Sequence, residues 1–426
     1  MSSPDLPVHR LLLLLAALAL LAYLPGLRLP LISDDHTQLW LAQRYGPPSS
    51  WTELAADPLY RCRATSIWLT YLTERLFGAS ALVLHASSLL LHILNTWLVF
   101  ALGVWRLIGW RVSAVAAAFF AVYEGHQEAV MWYAALPELL VFFFGLSALL
   151  AWVLWLESGL SQRGAHVAAV LLFVGALLSK ESAVAFVPLM LVVARAAGLV
   201  WRRIAFGLLP FSVLAALYMA LNFAGRTANH HYWDGTFSLT APFWWTLTNS
   251  ALRLLWIWGA AAVVCLLVWR KREWARLGLV AGWWIVLALL PYSFLTYMTR
   301  VPSRHRYLAS VALAWLVAAA VLALADRLRR KRFGIVAAVA SLIVLHNCTY
   351  LWTKKRDQFL RRAEPVQALI EFSRRAEGAI RIRCFPYGEN VARHAVEFGA
   401  GKPMTLVVWE PSAAESDGAF CYPDHP

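Results

Sequence analysis

An acidic pair, Asp34-Asp35, follows the first long apolar run of the chain, at residues 11–24. A carboxylate beside a membrane is costly to hold and is usually there for function. One aspartate is enough to cap the helix expected at residues 36–43. The other is then available as a base, because neighbouring carboxylates divide such roles when their surroundings shift their pKa values apart. The pair predicts catalysis at the edge of a membrane, with a helix N-cap as the simpler alternative.

A basic cluster lies late in the chain, at Arg300, Arg304, His305 and Arg306. The loop pattern described below places it on the outer side, where an excess of positive charge is not expected. Contact of a solvated loop with lipid headgroups is one explanation. We favour binding of a lipid-linked phosphate, because the planar guanidinium binds phosphate oxygens in pairs and keeps its charge.

Other ionisable residues fall at breaks between apolar runs. Lys180 and Glu181 stand where two helices turn. Either they neutralise each other, or Lys180 faces the donor phosphate and Glu181 orients it. His126 and Glu128 lie in a break too short for a free loop, so a structural turn and a site role are both open. The predicted binding residues besides the basic cluster are Arg61, His126, Glu128, Glu138, Lys180 and Glu181.

Composition identifies the elements that must position these residues. The chain has 426 residues, of which 60% are hydrophobic and 15% charged, whereas soluble domains carry about 25% charged residues. Apolar runs of about 20 residues recur along it, as in helical membrane proteins. The first run is longer than a signal-peptide core and lacks a cleavage site, so we expect a retained span. The net charge of +14 lies mostly in short loops, where it favours membrane orientation over nucleic-acid binding.

Basic loops predict the topology, because loops rich in Lys and Arg stay in the cytoplasm. Candidate inside loops are at 106–111, 157–163, 195–203, 270–276 and 327–332. Breaks on the other side are at 124–128, 179–181, 222–242 and 297–306. This alternation predicts an all-α bundle of about eleven spans with the N-terminus inside and the C-terminus outside. The first outer loop, about 33–78, is rich in Trp and Tyr and suits helices in the interface.

The sequence divides into a membrane domain at 1–353 and a smaller, more polar outer segment at 354–426. In the segment we expect a helix at 357–375 and strands at 379–385 and 404–409. So small a piece needs the membrane domain as support. Cys384 and Cys421 pair there if the compartment oxidises thiols. The five cysteines show no metal-ligand spacing; no cofactor is predicted, and a divalent metal stays open.

Five local stretches together resemble the membrane glycosyltransferases of the GT-C superfamily. The most similar branch contains the protein O-mannosyltransferases and the tetratricopeptide-bearing TMTC proteins. The stretches are 33–36 (SDDH), 59–61 (LYR), 85–95 (HASSLLLHILN), 126–130 (HQEAV, with Glu138 nearby) and 178–181 (LSKE), and a weaker sixth is 306–311 (RYLASV). They cover roughly residues 25–320 in the family's order.

The resemblance implies an enzyme that takes a sugar from a polyprenyl-phosphate-linked donor on the extracytoplasmic side, with inversion. It assigns the catalytic base to an acidic residue of the first outer loop, here Asp34 or Asp35, of which we prefer Asp34. Two local departures are Cys62-Arg63, where a proline and an apolar residue are expected, and Tyr123-Glu124, where His-Pro is expected. No tetratricopeptide array follows in this sequence, so the acceptor, whether protein, glycan or lipid, stays open.

Two other functions remain as alternatives. A transporter or flippase of a lipid-linked saccharide would use the same outer basic groups without needing a base, although we see no internal repeat of the kind many transporters carry. A non-catalytic membrane scaffold would depend on the outer C-terminal segment instead. In each case we expect a multi-pass protein of a bacterial inner membrane, in contact with membrane lipids, whose C-terminus lies in the periplasm.

Overall fold

The structure is a computed structural model that describes residues 7–228, 236–269, 272–296, 299–328, 332–410 and 419–422. Parts of two expected inside loops, at 270–271 and 329–331, lie outside the described residues. The same is true of residues 229–235 and 297–298 in two expected outer breaks.

Helices make up most of the described chain. They are α1 Val8–Tyr23, α2 Asp35–Tyr45, α3 Trp51–Ala56, α4 Ala64–Phe77, α5 Ala81–Ala101, α6 Gly109–Val122, α7 Gln127–Met131, α8 Leu136–Glu157, α9 Arg163–Leu177, α10 Phe186–Ala196, α11 Trp201–Ala224, α12 Phe243–Leu255, α13 Trp258–Val268, α14 Arg272–Leu289, α15 Ser310–Arg327, α16 Arg332–Tyr350, α17 Arg356–Arg375 and α18 Glu389–Ala395. The strands are β1 Ile380–Cys384, β2 Val407–Trp409 and β3 Phe420–Cys421.

Seven helical segments of the described chain are long and apolar enough to cross a membrane. They are Val8–Arg28, Ala81–Val104, Tyr133–Glu157, Trp201–Ala224, Trp274–Tyr292, Ser310–Arg327 and Gly334–Arg375. The pair α12 and α13, bent by 79°, counts as an eighth if it is one broken span. The predicted all-α polytopic fold is confirmed, and the expected eleven spans are reached only by adding the shorter helices α6, α9 and α10.

The helices differ in how much of their surface lies inside the protein. In α8 and α15, 72% and 67% of the apolar window is buried, against 22% in α11. An exposed apolar face such as Phe206 and Leu209 on α11 matches hydrocarbon, whereas the inner helices must pack on one another. Small residues allow that approach: a Cβ at Gly145 of α8 would come within 2.1 Å of the Phe186 ring.

Polar groups inside the bundle bond across helices, as polar side chains within membrane spans generally do. His92 contacts the Tyr307 hydroxyl at 2.7 Å and the Ala121 carbonyl oxygen at 3.1 Å. Asn95 donates to the Leu139 carbonyl oxygen at 3.1 Å. These bonds join α5 to α6, α8 and the start of α15, the helices that surround the site described below.

The first outer loop is helical and forms α2, α3 and α4. It has a small core of its own, comprising Leu41, Tyr45, Leu54, Ala64 and Ile67. The predicted helix at 36–43 is confirmed as α2, and Asp34 stands at its N-cap position. The packed core of this loop therefore holds α2, and with it the aspartate pair, in a fixed position.

The C-terminal segment has a second core, which packs α17 and α18 against a three-stranded parallel sheet of order β2-β1-β3. The expected helix and first strand are present, whereas residues 404–406 form a 3-10 turn before β2 begins at Val407. Cys384 and Cys421 form a disulfide that joins β1 to β3. The helix α16 continues into α17 through π-helical turns at Leu351–Lys355, so the predicted boundary at 353 falls inside one long helix.

Candidate active site

Asp35 is buried, and both of its carboxylate oxygens accept backbone hydrogen bonds. Oδ2 accepts from the Ile32 amide at 2.8 Å, and Oδ1 accepts from the Ala134 amide at 2.7 Å. Burial raises the pKa of Asp35 to about 7, although these two bonds favour the ionised form. The chain turns sharply just before it, with Ser33 at a φ of 46°. Asp35 thus ties the start of α2 to residues 132–134 and has no oxygen left without a partner.

Asp34 has a different environment. It occupies the N-cap position of α2, but its side chain does not cap that helix, and it remains solvent-exposed. Protein nevertheless surrounds it closely, so desolvation raises the pKa of Asp34 while Arg304, a hydrogen bond from Ser33, Arg63 and Arg362 act to lower it. A solvent-accessible carboxylate therefore faces a group of guanidinium groups that come from three distant parts of the sequence.

Arg304, one of these guanidinium groups, is held in place by Glu128 and Trp132. Its Nη1 lies 3.6 Å from Glu128 Oε2, and its backbone amide donates to the same oxygen at 3.3 Å. Burial favours the neutral acid, but Arg304 and these bonds hold the pKa of Glu128 below its usual range. The Arg304 guanidinium lies 5.0 Å from the centroid of the Trp132 ring, and the Arg362 guanidinium lies 4.7 Å from the same centroid.

A second cluster of charged residues, centred on Glu138, is buried inside the protein. Glu138, at the start of α8, accepts from Lys180 and contacts His305 Nδ1 at 2.5 Å, and its other oxygen accepts from the Tyr292 hydroxyl at 2.8 Å. The His305 ring stacks on Tyr292 at 4.2 Å. Burial lowers the pKa of Lys180 and lowers that of His305 to about 4. The Lys180 ammonium is thus occupied by Glu138.

Arg63 connects the two groups, although the sequence comparison had marked it only as a departure from the family pattern. It interacts electrostatically with Glu181 and Glu138 on one side and with Asp34 on the other. Cys62 donates to Glu181 Oε1 at 3.1 Å. The Nε of Arg63 is buried without a hydrogen-bond partner among the described residues. In the sequence, Arg63 could have been recognised as a second basic residue, two positions after Arg61.

Two predicted residues, Arg61 and His126, make contacts between helices. Arg61 donates to the Leu221 carbonyl oxygen at 2.6 Å, at the end of α11. His126 is fully buried; its Nε2 contacts the Ser310 hydroxyl at 2.6 Å, and its ring packs on Phe120 at 4.3 Å. These contacts are those of residues that hold helices together.

The predicted basic cluster separates in space because Ser303–Arg306 is a 3-10 turn. Such a turn has 3.0 residues per turn, so consecutive side chains point about 120° apart. Arg304 faces Glu128, His305 faces Glu138, and Arg306 interacts with Tyr123, Glu124 and Arg253. Burial lowers the pKa of Arg306, and its Nε has no partner among the described residues.

Arg300 lies on an open cavity of about 450 Å³ beside the bend between α12 and α13. The lining residues are Asn249, Leu252, Arg253, Trp256, Thr299 and Arg300. At the bend Ile257 has a φ of 60°, which is unfavourable for a β-branched residue and typical of functional sites. Leu252 and Trp256 are 63% and 64% exposed. We call this cavity the α12–α13 groove; it combines two arginines with an exposed apolar wall.

No group of three or more His, Cys, Asp or Glu side chains among the described residues is arranged to hold a metal ion.

No described protein family and no curated protein sequence matches the chain. Solved structures with a similar fold include ArnT from Cupriavidus metallidurans in the apo state, at 14% identity and a TM-score of 0.59 over 94% of this chain and 86% of that one. The same protein bound to undecaprenyl phosphate has 15% identity and a TM-score of 0.56, over 93% and 88% of the two chains.

The archaeal oligosaccharyltransferase AglB from Archaeoglobus fulgidus, solved with an inhibitory peptide and a dolichol-phosphate, has 14% identity and a TM-score of 0.55. The match covers 93% of this chain and 64% of the archaeal one, so the chain spans less than two thirds of that enzyme. At these identities the likeness is one of fold. It confirms the predicted GT-C-like architecture and does not distinguish the O-mannosyltransferase branch from others.

Proposed function

We propose that this multi-pass membrane protein with a GT-C-like fold is a glycosyltransferase. It moves a sugar from a polyprenyl-phosphate-linked donor to an acceptor hydroxyl on the extracytoplasmic face. The observation that carries the proposal is the solvent-accessible carboxylate of Asp34 within a group of arginines. Two structures of similar fold contain undecaprenyl phosphate and a dolichol-phosphate, which supports a lipid-phosphate donor here.

Asp34 is the proposed base. The acceptor oxygen attacks the anomeric carbon and forms the new glycosidic bond, while the bond from that carbon to the donor phosphate breaks. The hydroxyl proton passes to Asp34, and the polyprenyl phosphate leaves with the electron pair, so the configuration inverts. A raised pKa makes Asp34 a better proton acceptor, and the surrounding arginines keep it ionised enough to act. Asp35 serves by fixing the helix start.

The α12–α13 groove is the proposed place for the donor phosphate. Arg253 and Arg300 supply positive charge where negative charge builds up on the leaving group. Arg306 interacts electrostatically with Arg253 and adds to this positive charge. Leu252 and Trp256 offer an apolar wall to the polyprenyl chain. A span broken beside such a groove is a common way for membrane proteins to build polar binding sites.

Lys180 and His305 take a supporting part in this proposal. Because Glu138 occupies both, they position the 3-10 turn that carries Arg304 and do not contact the phosphate. Arg61 and His126 have structural contacts of their own. Glu128 orients Arg304, and Glu181 orients Arg63.

The orientation proposed from the basic loops places the segment 354–426 outside the cytoplasm and the N-terminus inside. The disulfide between Cys384 and Cys421 supports this assignment, because disulfides persist in oxidising compartments such as the bacterial periplasm. The proposed location is therefore a bacterial inner membrane. We also propose that the protein belongs to the O-mannosyltransferase-like branch and that its membrane domain ends near residue 353.

The deciding experiment compares Asp34→Asn with Glu53→Gln, a variant of an exposed acid in α3 of the same outer loop. The purified proteins receive a polyprenyl-phosphate sugar, and both transfer and melting temperature are measured. Loss of a general base costs about 10²–10⁴-fold in rate, so Asp34→Asn should lose activity at an unchanged melting temperature. Near-normal turnover in Asp34→Asn would refute the assignment of the base, whereas absence of transfer in the unmodified protein would favour a flippase, whose translocation needs no base.

A further inference from the structure

The C-terminal segment sends one guanidinium into the proposed active site. Arg362, on α17, lies 4.7 Å from the centroid of the Trp132 ring, which Arg304 also approaches, at 5.0 Å. Both distances are within the range of cation–π attraction. Trp132 is two residues before Ala134, whose amide bonds to Asp35. Arg362 therefore reaches the start of α2 from a part of the chain more than 300 residues away.

The two arginines on Trp132 differ in one respect. Arg304 forms an ion pair with Glu128, whereas Arg362 forms none within the described part of the chain. Arg362 is half-buried and interacts electrostatically with Asp34, Asp35 and Glu128. Its side chain is also hydrogen-bonded to Tyr387. A guanidinium has five N–H donors, so without a direct carboxylate partner Arg362 keeps donors available for an oxyanion.

The position of Arg362 is fixed by the docking of the whole segment on α2. His394 of α18 is buried; its Nδ1 contacts the Thr37 hydroxyl at 3.0 Å, and its ring stacks on Trp40 at 4.8 Å. Thr37 and Trp40 lie one turn apart on α2, just after the aspartate pair. The segment's own core and the Cys384–Cys421 disulfide hold α17 and α18 together. Arg362 therefore lies on a surface that is held in place by packing, the disulfide and the contacts with α2.

The place of Arg362 decides which substrate it would meet. The proposed donor phosphate lies at Arg253 and Arg300, beside exposed apolar side chains. Arg362 instead belongs to the polar C-terminal segment, and it lies near the carboxylate that would accept a proton from the incoming hydroxyl. A molecule seated against Arg362 would present its hydroxyl to Asp34.

We propose that Arg362, together with Arg304, binds an oxyanion of the acceptor, so that the acceptor is an anionic molecule bearing a phosphate or a carboxylate. The inference rests on the proposed function for the role of acceptor. The anion site itself rests on the stacked arginines and on the docked segment.

The test measures equilibrium binding of methyl glucoside, methyl glucoside 6-phosphate and methyl glucuronide to the full chain in lipid nanodiscs. Undecaprenyl phosphate is added first at a saturating level, so that the donor phosphate site is filled. We expect at least one anionic probe to bind about tenfold or more tightly than methyl glucoside, as charge-assisted hydrogen bonds allow. The stronger of the two anionic probes identifies phosphate or carboxylate as the acceptor group.

Arg362→Gln should abolish this preference, and Arg362→Lys should keep part of it. Arg361→Gln is the matched control, because Arg361 precedes it on the same helix and is exposed. Equal binding of all three probes by the unmodified protein, or an undiminished preference in a folded Arg362→Gln variant, would overturn the proposal. The readout needs no sugar transfer, so a failure of Asp34 as the base is seen separately from a failure of the anion site.

Discussion

The protein holds carboxylates and cations close together in two places, and the two arrangements differ in what their charges contact. Around Glu138 the partners are complete: Lys180, His305 and Tyr292 use both carboxylate oxygens inside the bundle. Around Asp34 the carboxylate is exposed to solvent, the Arg63 Nε has no hydrogen-bond partner among the described residues, and Arg362 forms no ion pair with them. Saturated charges hold a structure together, while unsaturated ones of the same types are available to a ligand.

The largest expected effect tests the saturated group. Glu138→Gln leaves the Lys180 ammonium buried without its counter-charge and weakens the contact with His305. Breaking a buried ion pair in this way typically costs about 3–5 kcal/mol. We expect a large loss of stability in denaturant unfolding of the purified protein. Glu157→Gln, at the far end of the same helix, removes a partner of the exposed Arg106 and should cost about 0–1 kcal/mol.

Two outcomes would break the comparison. One is a Glu138→Gln variant that unfolds like the Glu157→Gln control but has lost sugar transfer, because Glu138 would then act in chemistry. The other is a Glu138→Gln, Lys180→Met double variant that loses the full sum of the two single effects. Residues that form one network should be non-additive.

A second prediction separates the adjacent aspartates by pH. The folded pKa of Asp35 is raised to about 7 from 3.8, so between these values the folded state binds a proton that the unfolded state has lost. Stability from this group therefore falls as pH rises from about 4 to 7 and changes little above that. Asp35→Asn should remove this component of the pH dependence, measured as melting temperature against pH. Identical profiles for the variant and the unmodified protein would contradict the buried state of Asp35.

The sequence predicted the fold class because it depends on local patterns, and the candidate site was proposed from patterns of the same kind. Apolar runs and basic loops follow directly from hydrophobicity and charge, and the pair at 34–35 needed only its position after the first run. The different environments of the two aspartates could not be predicted from their adjacency. They depend on the Ala134 amide, which comes from a distant part of the chain.

The basic cluster shows the same limit. The sequence predicted one phosphate-binding cluster at 300–306, but a 3-10 turn points its members in different directions. Lys180 was predicted to face a phosphate, but in the structure its ammonium donates a hydrogen bond to Glu138. Arg253 was missed because it sits alone in its segment, and Arg362 because it is one of several basic residues between 354 and 362. Neither belongs to a motif, and only tertiary packing brings them to the groove and to Trp132.

A third prediction concerns the open side of the comparison. Arg253→Gln and Arg300→Gln should each raise the KM for the polyprenyl-phosphate donor about tenfold, the value of one charge-assisted phosphate contact, with a smaller effect on kcat. Arg226→Gln is the control, since Arg226 is exposed and lies outside the groove lining. An unchanged donor KM in the double variant would move the donor phosphate away from the α12–α13 groove.

The smallest expected effect lies at the contact between the C-terminal segment and α2. His394→Ala removes the contact with Thr37 and the stacking on Trp40, which together are worth about 1–2 kcal/mol. If docking serves to place Arg362, the variant should lose several-fold in affinity for the anionic probe, and the His394→Ala, Arg362→Gln double variant should bind the probe no more weakly than Arg362→Gln alone. Arg381→Gln, an exposed change on β1, should leave that affinity unchanged. Additive losses would mean that His394 stabilises the segment independently of Arg362, and the open and saturated regions would then be less distinct than their contacts imply.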